Sequence, residues 1–443
     1  MSILFAALLA VLILILPWKF WIGERLITIF EAKGFQNVHL TVSKLGLQGI
    51  ALKNISVGHE TPLLENMTVS YSLPDLLKGN MNELAIKGLN LETHQNNDQW
   101  IFSGLDGWPP HTANDKINIG IPVTLSQLST IPLDRIIFEE SHLHIASKQW
   151  QMDIPILFTL RKNPTPQLSY KSDGLNFKMS DFDIITGKTS LEAILNQDEK
   201  KWTGQWQIKD ITFKDNTLTV PVIQGNGTLV AYTDNMNFLG KLESADKSYT
   251  AEFNIEYALN APEKSEFILT NASMPWNSGT LSVQNVRVPF FERKAVKANL
   301  KVQHASIETL IQMLTGKHAS ATGTVSGTLP ILISENGEIT VQQGGLGTEQ
   351  SGTIIMSPDA IPGDNQQITL VRDILKNFHY THLSIAVDSN KNNRLSILLA
   401  LEGNNPDMYQ GRPVKLSVHL TGDVLNLVKQ NMMPFTNPEQ FLK

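Results

Sequence analysis

One spacing of apolar residues, at i, i+2, i+5 and i+7 around a central polar pair, recurs along this chain. It occurs as Ile50/Leu52/Ile55/Val57, Leu84/Ile86/Leu89/Leu91, Trp206/Ile208/Ile211/Phe213 and Leu281/Val283/Val286/Val288. Phe267/Leu269/Ala272/Met274 is a weaker fifth copy. Alternate residues of a strand share a face, so the steps of two predict β-strands with one apolar side. The step of three supplies one residue too many for that alternation. A bulge or sharp bend at Lys53-Asn54, Lys87-Gly88, Lys209-Asp210 and Gln284-Asn285 would return the later apolar residues to the same face. Curved strands with one greasy side follow. The copies are unevenly spaced, which argues against a fixed-period solenoid.

Residues 1–18 contain no charged side chain. As a helix they would reach about 27 Å, close to the hydrocarbon thickness of a bilayer. Trp18, Lys19 and Trp21 follow, as an interfacial belt with a snorkelling lysine would. A cleaved signal peptide would need a basic leader and a small-x-small site, and neither is present. The segment reads as an uncleaved membrane anchor over 1–22. Ile22, Leu26, Ile29 and Phe30 then share one helical face, with Gly34 as the stop.

Composition narrows the function classes. The net charge of −6 offers no basic surface for nucleic acid. The absence of cysteine removes disulfides, thiolate nucleophiles and Cys-ligated zinc. Only 18% of residues are charged, which suits polar sheet faces better than charged surface helices. No nucleophile elbow, phosphate-binding loop, zinc-protease or dinucleotide motif occurs. Gly225-Asn226-Gly227 reads as a turn between strands. His142 and His144 share a strand face with Glu140, a spacing metals use, but solvated strand histidines are the better reading. Glu139 and Glu140 are neighbours in a strand and would point to opposite faces, so they cannot flank one bond. No catalytic residue, metal or cofactor is assigned.

Helices are few. Ser306 caps a predicted turn carrying Ile307, Leu310, Ile311 and Leu314, Leu370, Ile374, Leu375 and Phe378 form a second face, and a short third helix follows Asp423. Such scarcity leaves the apolar sheet face either closed on itself, as in a sandwich or barrel, or covered by a ligand.

The C-terminal third carries a resemblance. Gly323 to Ile331, then strands ending in Gly344-Gly345-Leu346, Lys376 to Tyr380 running through Val387-Asp388, and Leu401 to Asp407 leading to Gly411-Arg412-Pro413-Val414 occur in order. This series, from about Gly279 to Leu427, resembles the C-terminal domain of the YdbH family, an AsmA-like branch grouped with TamB and YhdP. The family also bears a dicarboxylate-transport label, which would require a basic pocket or several spans. The resemblance implies a mainly β fold, with a transmembrane helix followed by an elongated, curved, open-sided antiparallel β-groove and a few short helices. It divides the chain into an anchor (1–22), a groove (23–278) and a YdbH-like domain (279–443). It implies a bacterial inner-membrane protein with its body in the periplasm, not an enzyme, that conducts phospholipid towards the outer membrane. A small outer-membrane lipoprotein would sit at the C-terminal end. The alternative is a TamB-like assembly scaffold offering strand edges to outer-membrane proteins. Groove-lining candidates are Ile50, Leu52, Leu84, Ile86, Leu89, Leu91, Trp206, Ile208, Leu281, Val283, Val286 and Val288.

Overall fold

The structure is a computed structural model. It describes residues 19–32, 35, 37–58, 62–96, 99–103, 132–147, 150–179, 182–215, 220–290, 294–315, 318–335, 339–357, 366–389 and 395–422. The expected anchor over 1–18, Trp18, Gly34 and the helix after Asp423 lie outside these residues. Among the described residues no helix is long and apolar enough to cross a membrane. The fold is mainly β, with mixed strand pairing and few helices. It divides into two units, Met1–Asp215 with Gln224–Phe238, and Asn216–Ile223 with Leu239–Lys443.

The first unit contains β1 (His39–Gly46), β2 (Gly49–Ser56), β3 (Leu64–Ser70), β4 (Met81–Asn96), β5 (Gln99–Ser103) and β6 (Leu133–Ala146). It continues with β7 (Trp150–Arg161), β8 (Gln167–Ser172), β9 (Asn176–Met179), β10 (Phe182–Ile185), β11 (Thr189–Asn196) and β12 (Lys201–Asp215). Strands β1 to β4 pair antiparallel in sequence order. β4 then pairs with β6 in parallel, and β6, β7, β8, β11 and β12 continue antiparallel. Past the bends, β7, β9, β10 and β12 extend the same ladder. β13 (Ile223–Ala231) and β14 (Asn235–Ser244) follow. The Gly225-Asn226-Gly227 triplet lies inside β13, so the turn expected there does not occur.

The second unit contains β15 (Thr250–Ala258), β16 (Glu266–Trp276), β17 (Gly279–Pro289), β18 (Val296–Ser306), β19 (Ala319–Ala321) and β20 (Thr324–Ile333). After these come β21 (Ile339–Val341), β22 (Gly344–Thr348), β23 (Gly352–Met356), β24 (Phe378–Ser389), β25 (Leu395–Asn404) and β26 (Val414–Gly422). Its antiparallel ladder runs β15, β16, β17, β18, β20, β22, β24, β25, β26.

The extra residue of the apolar spacing is absorbed where the sequence places it. Asn54, Gly88, Asp210 and Asn285 all have φ between 50° and 69°. These are the second members of the four central pairs. A left-handed residue inside a strand is the signature of a bulge, which bends the strand and sharpens its twist. Glu140 and His304 adopt the same conformation, and the register of β6 and of β18 shifts around them. Hydroxyls take up the backbone groups freed there. The Ser141 hydroxyl donates to the Glu139 carbonyl at 2.9 Å and accepts from Leu89 N–H at 3.3 Å. Ser326 accepts from His304 N–H at 3.0 Å.

Gly88 is the only glycine among these bends, and a Cβ there would lie 2.5 Å from the Glu65 Cγ. Asparagine tolerates the left-handed region whereas a β-branched residue does not. Gly88→Val is therefore expected to lower the denaturation midpoint, at a cost of at least about 1–2 kcal/mol. Gly88→Asn should lose much less, because the Glu65 side chain can swing aside. Equal losses in chemical denaturation would contradict a bend at Gly88.

Among the helices, residues 19–32 pack against β1 through Gly23, whose Cβ position is 3.6 Å from a Val42 methyl. Leu26 joins the cluster of Leu52, Ile55 and Leu64. Ile29, expected on that buried face, is 55% exposed, because the helix turns its glycine side rather than its Ile29 side to the strand. Helix Ile307–Thr315 starts as expected, with the Ser306 hydroxyl accepting from Thr309 N–H at 3.4 Å. In helix Gln366–Leu375, Ile374 and Leu375 are buried, while Leu370 is exposed and Phe378 opens β24.

Candidate functional site

The cross-strand registers line the apolar residues up into rows perpendicular to the strands. In the first unit Val42, Leu52, Met67 and Ile86 stand opposite one another on β1 to β4. The row continues through Phe138, Phe158, Tyr170, Leu191 and Trp206 on β6, β7, β8, β11 and β12. No charged side chain interrupts it. A neighbouring row joins Ile50, Val69, Leu84, Ile136, Leu160 and Leu168. Beyond the bends, Leu91, Leu143 and Ile154 form a third, and Met152, Phe177, Ile184 and Phe213 a fourth. Edge-to-face contact of Phe138 and Phe158, with centroids 6.0 Å apart, knits β6 to β7.

In the second unit the rows are Ala272, Val283, Leu300 and Leu329, and Met274, Leu281, Val302, Gly327 and Leu346. The two halves of the β17 spacing, Leu281/Val283 and Val286/Val288, keep one face across the single bend, since Val283 packs with Val286, Val296 and Ala298 in one cluster.

Exposure of this face is uneven. Ile50, Leu84, Ile86, Leu89, Leu91, Ile208, Leu281 and Val283 are half-buried, so neighbours cover them only in part. Leu52, clustered with Leu26 of helix 19–32, is buried, as are Trp206 and Val286, and Val288 is exposed. From β18 to β25 the face is filled by the protein itself. Val302, Val325, Phe378 and Leu383 are fully inaccessible beneath Ile307, Ile311, Ile374 and Leu375 of the two helices. Asn405, itself buried, donates to the carbonyls of Asp373 (3.2 Å) and Ile374 (3.0 Å) and so pins the second helix. The Tyr380 hydroxyl donates to Thr322 at 2.7 Å and sits 2.2 Å from where a Gly323 Cβ would be, a space that only glycine leaves open. Scarce as they are, these two helices cover the end of the sheet that the spacing alone would leave bare.

Charged groups stay off the apolar rows. Lys87 and Glu140 pair at 2.9 Å, which raises the Lys87 pKa. Lys415 lowers that of Glu402, and hydrogen bonds from Ser244 and Ser248 hold Asp246 at about 2. Burial raises the Tyr170 phenol, which donates to the Pro155 carbonyl at 3.2 Å. His144 meets the Asp153 carboxylate, whereas His142 is exposed. Among the described residues no group of three His, Asp or Glu could hold a metal. Glu139 and Glu140 are both exposed, contrary to simple alternation, because the left-handed turn at Glu140 breaks it. Lys19, expected at a membrane interface, donates to the Ser43 carbonyl at 3.0 Å, and Trp21 is exposed beneath the Arg25 guanidinium.

The arrangement defines a β-sheet protein whose bent strands present continuous apolar rows on one side. Residues 249–440 match the family model YdbH-like, described as Intermembrane phospholipid transport protein YdbH, and this match supports assignment to the YdbH family. No curated protein and no solved structure matches the chain.

Proposed function

We propose that this chain is an inner-membrane-anchored periplasmic protein that conducts phospholipids between the inner and outer membranes along an apolar groove. The observation that carries the reading is the uncharged row from Val42 to Trp206, half-buried at Ile86 and in register across the first unit. Family membership adds the substrate class. Each methylene kept from water is worth about 0.8 kcal/mol, so two bare acyl chains in water would cost roughly 20 kcal/mol or more. An apolar trough removes most of that barrier while the headgroup stays wet. Such transfer makes and breaks no covalent bond, so the protein needs no catalytic group.

Within the second unit, the groove runs over the half-buried rows and the helix-filled face forms its limit. A small outer-membrane lipoprotein would dock beyond that face by adding a strand to β26, which pairs only with β25 among the described residues. The same edge favours the second reading, a scaffold presenting strands to outer-membrane proteins.

A photoprobe at Ile86 in the membrane-embedded protein should yield phospholipid adducts by mass spectrometry, and one at exposed Lys53 should not. Equal labelling at both positions, or none at Ile86 with crosslinks to β-barrel proteins instead, would favour the scaffold.

A further inference from the structure

One end of the first unit carries large apolar side chains in solvent. Leu47, in the turn joining β1 to β2, is 73% exposed, and Leu77, on the short helix Leu73–Leu77, is 89% exposed. Leu73 and Leu76 of that helix are exposed as well. Two contacts bring these elements to the same strand ends. Tyr71 N–H donates to the Gln48 carbonyl at 3.1 Å, and the Tyr71 hydroxyl donates to Gly46 at 2.9 Å. The helix is built to hold its position, with Ser72 accepting from Asp75 N–H at 3.2 Å and Pro74 in the first turn. Nothing in the sheet requires leucines there, since lysine or serine would serve a solvated turn equally well.

The polypeptide arrives at this end from the apolar segment. Helix 19–32 runs antiparallel to β1, because Lys19 reaches Ser43 while Gly23 lies against Val42 and Leu40. Its first residues, with Phe20 73% exposed, therefore lie towards the β1–β2 turn. The uncharged stretch 1–18 joins the fold there. Lys44 and Lys78, both exposed, flank the leucines and suit anionic headgroups. Glu24 is also exposed on the helix.

We infer that Leu47, Leu73, Leu76 and Leu77 form a membrane-docking patch that dips into the headgroup boundary of the bilayer holding residues 1–18. Short apolar protrusions with neighbouring basic residues bind in this way, lying in the interface without spanning it. The patch would hold the β1 end of the apolar rows against the leaflet from which lipid enters. The inference rests on the anchored-conductor reading and adds a second, non-spanning contact to it.

The chain has no cysteine, so single-thiol variants label at one place. Leu47→Cys, Leu77→Cys and, as a control on β7, Leu157→Cys would each carry an environment-sensitive fluorophore. All three side chains are exposed, so the substitutions should spare the fold. The full chain is reconstituted in phosphatidylethanolamine–phosphatidylglycerol nanodiscs, with and without spin-labelled lipid. Blue-shifted emission and several-fold stronger quenching at Leu47→Cys and Leu77→Cys than at Leu157→Cys is the expected result. Equal, unshifted spectra at all three sites overturn the patch, as does an equal shift at all three. The photoprobe at Ile86 separates the two ideas. Lipid adducts there without quenching at Leu77→Cys sink the patch alone, and quenching without adducts sinks the conductor alone.

Discussion

Ile86→Lys is expected to stop lipid passage while leaving the protein folded and membrane-bound. Ile86 sits midway along the uncharged row, between Met67 and Phe138, and is half-buried. A lysine there can swing its ammonium to water, so the thermal midpoint should barely move. A charge forced beside passing hydrocarbon costs about 2.5–3.5 kcal/mol, which slows transfer roughly 100-fold. Ile86→Leu keeps the wall apolar and should transfer lipid normally. The measurement is fluorescent-phospholipid transfer between donor and acceptor vesicles, alongside complementation of an envelope defect. Normal transfer by a stably expressed Ile86→Lys protein would remove the row from the lipid path. Val283→Asp tests the same point in the second unit.

Phe378→Ala is expected to be the most damaging single change to the second unit. The ring is fully inaccessible, in a cluster with Ile307, Ile354, Leu375 and Leu383. Emptying such a site costs about 3–5 kcal/mol. A domain of this size loses about 2–4 °C per kcal/mol, so the midpoint of that unit should fall by about 10 °C. Tyr380→Phe removes only the hydrogen bond to Thr322, worth about 1 kcal/mol, and should be mild. Differential scanning calorimetry distinguishes the two. An unchanged midpoint for Phe378→Ala would mean that the helices do not seal this end, and the groove would then extend beneath them.

The bends were legible before any coordinates because the sequence marks them twice, by a step of three and by Asn, Gly or Asp at the second central position. Three further copies depart from that template. Ile136/Phe138/Ser141/Leu143 places a serine where the template expects an apolar residue, and that serine serves the backbone of the bend. Leu300/Val302/Ala305/Ile307 uses a small alanine, and its left-handed residue is His304 rather than Asn, Gly or Asp. Phe378/Tyr380/Leu383/Ile385 overlaps a helical pattern, since its first residue also continues the face of Leu370 and Ile374. The covering of the β18–β25 face could not be read locally, because it depends on helices docking across long sequence separations. The parallel β4–β6 pairing is illegible for the same reason, as nothing near either strand encodes its neighbour's direction.

The bulges also govern how such a chain tolerates insertions and deletions. Removing Asn54 alone would set Ile50, Leu52, Ile55 and Val57 in unbroken alternation, so the apolar face would survive and the bend would be lost. Away from those bulge residues, amino acids can be lost from or added to the body of these strands only two at a time, whereas a turn such as that at Leu47 accepts any number. Length differences among relatives should therefore fall at hairpin tips and strand ends, with the bend residues kept at a constant count from their apolar flanks.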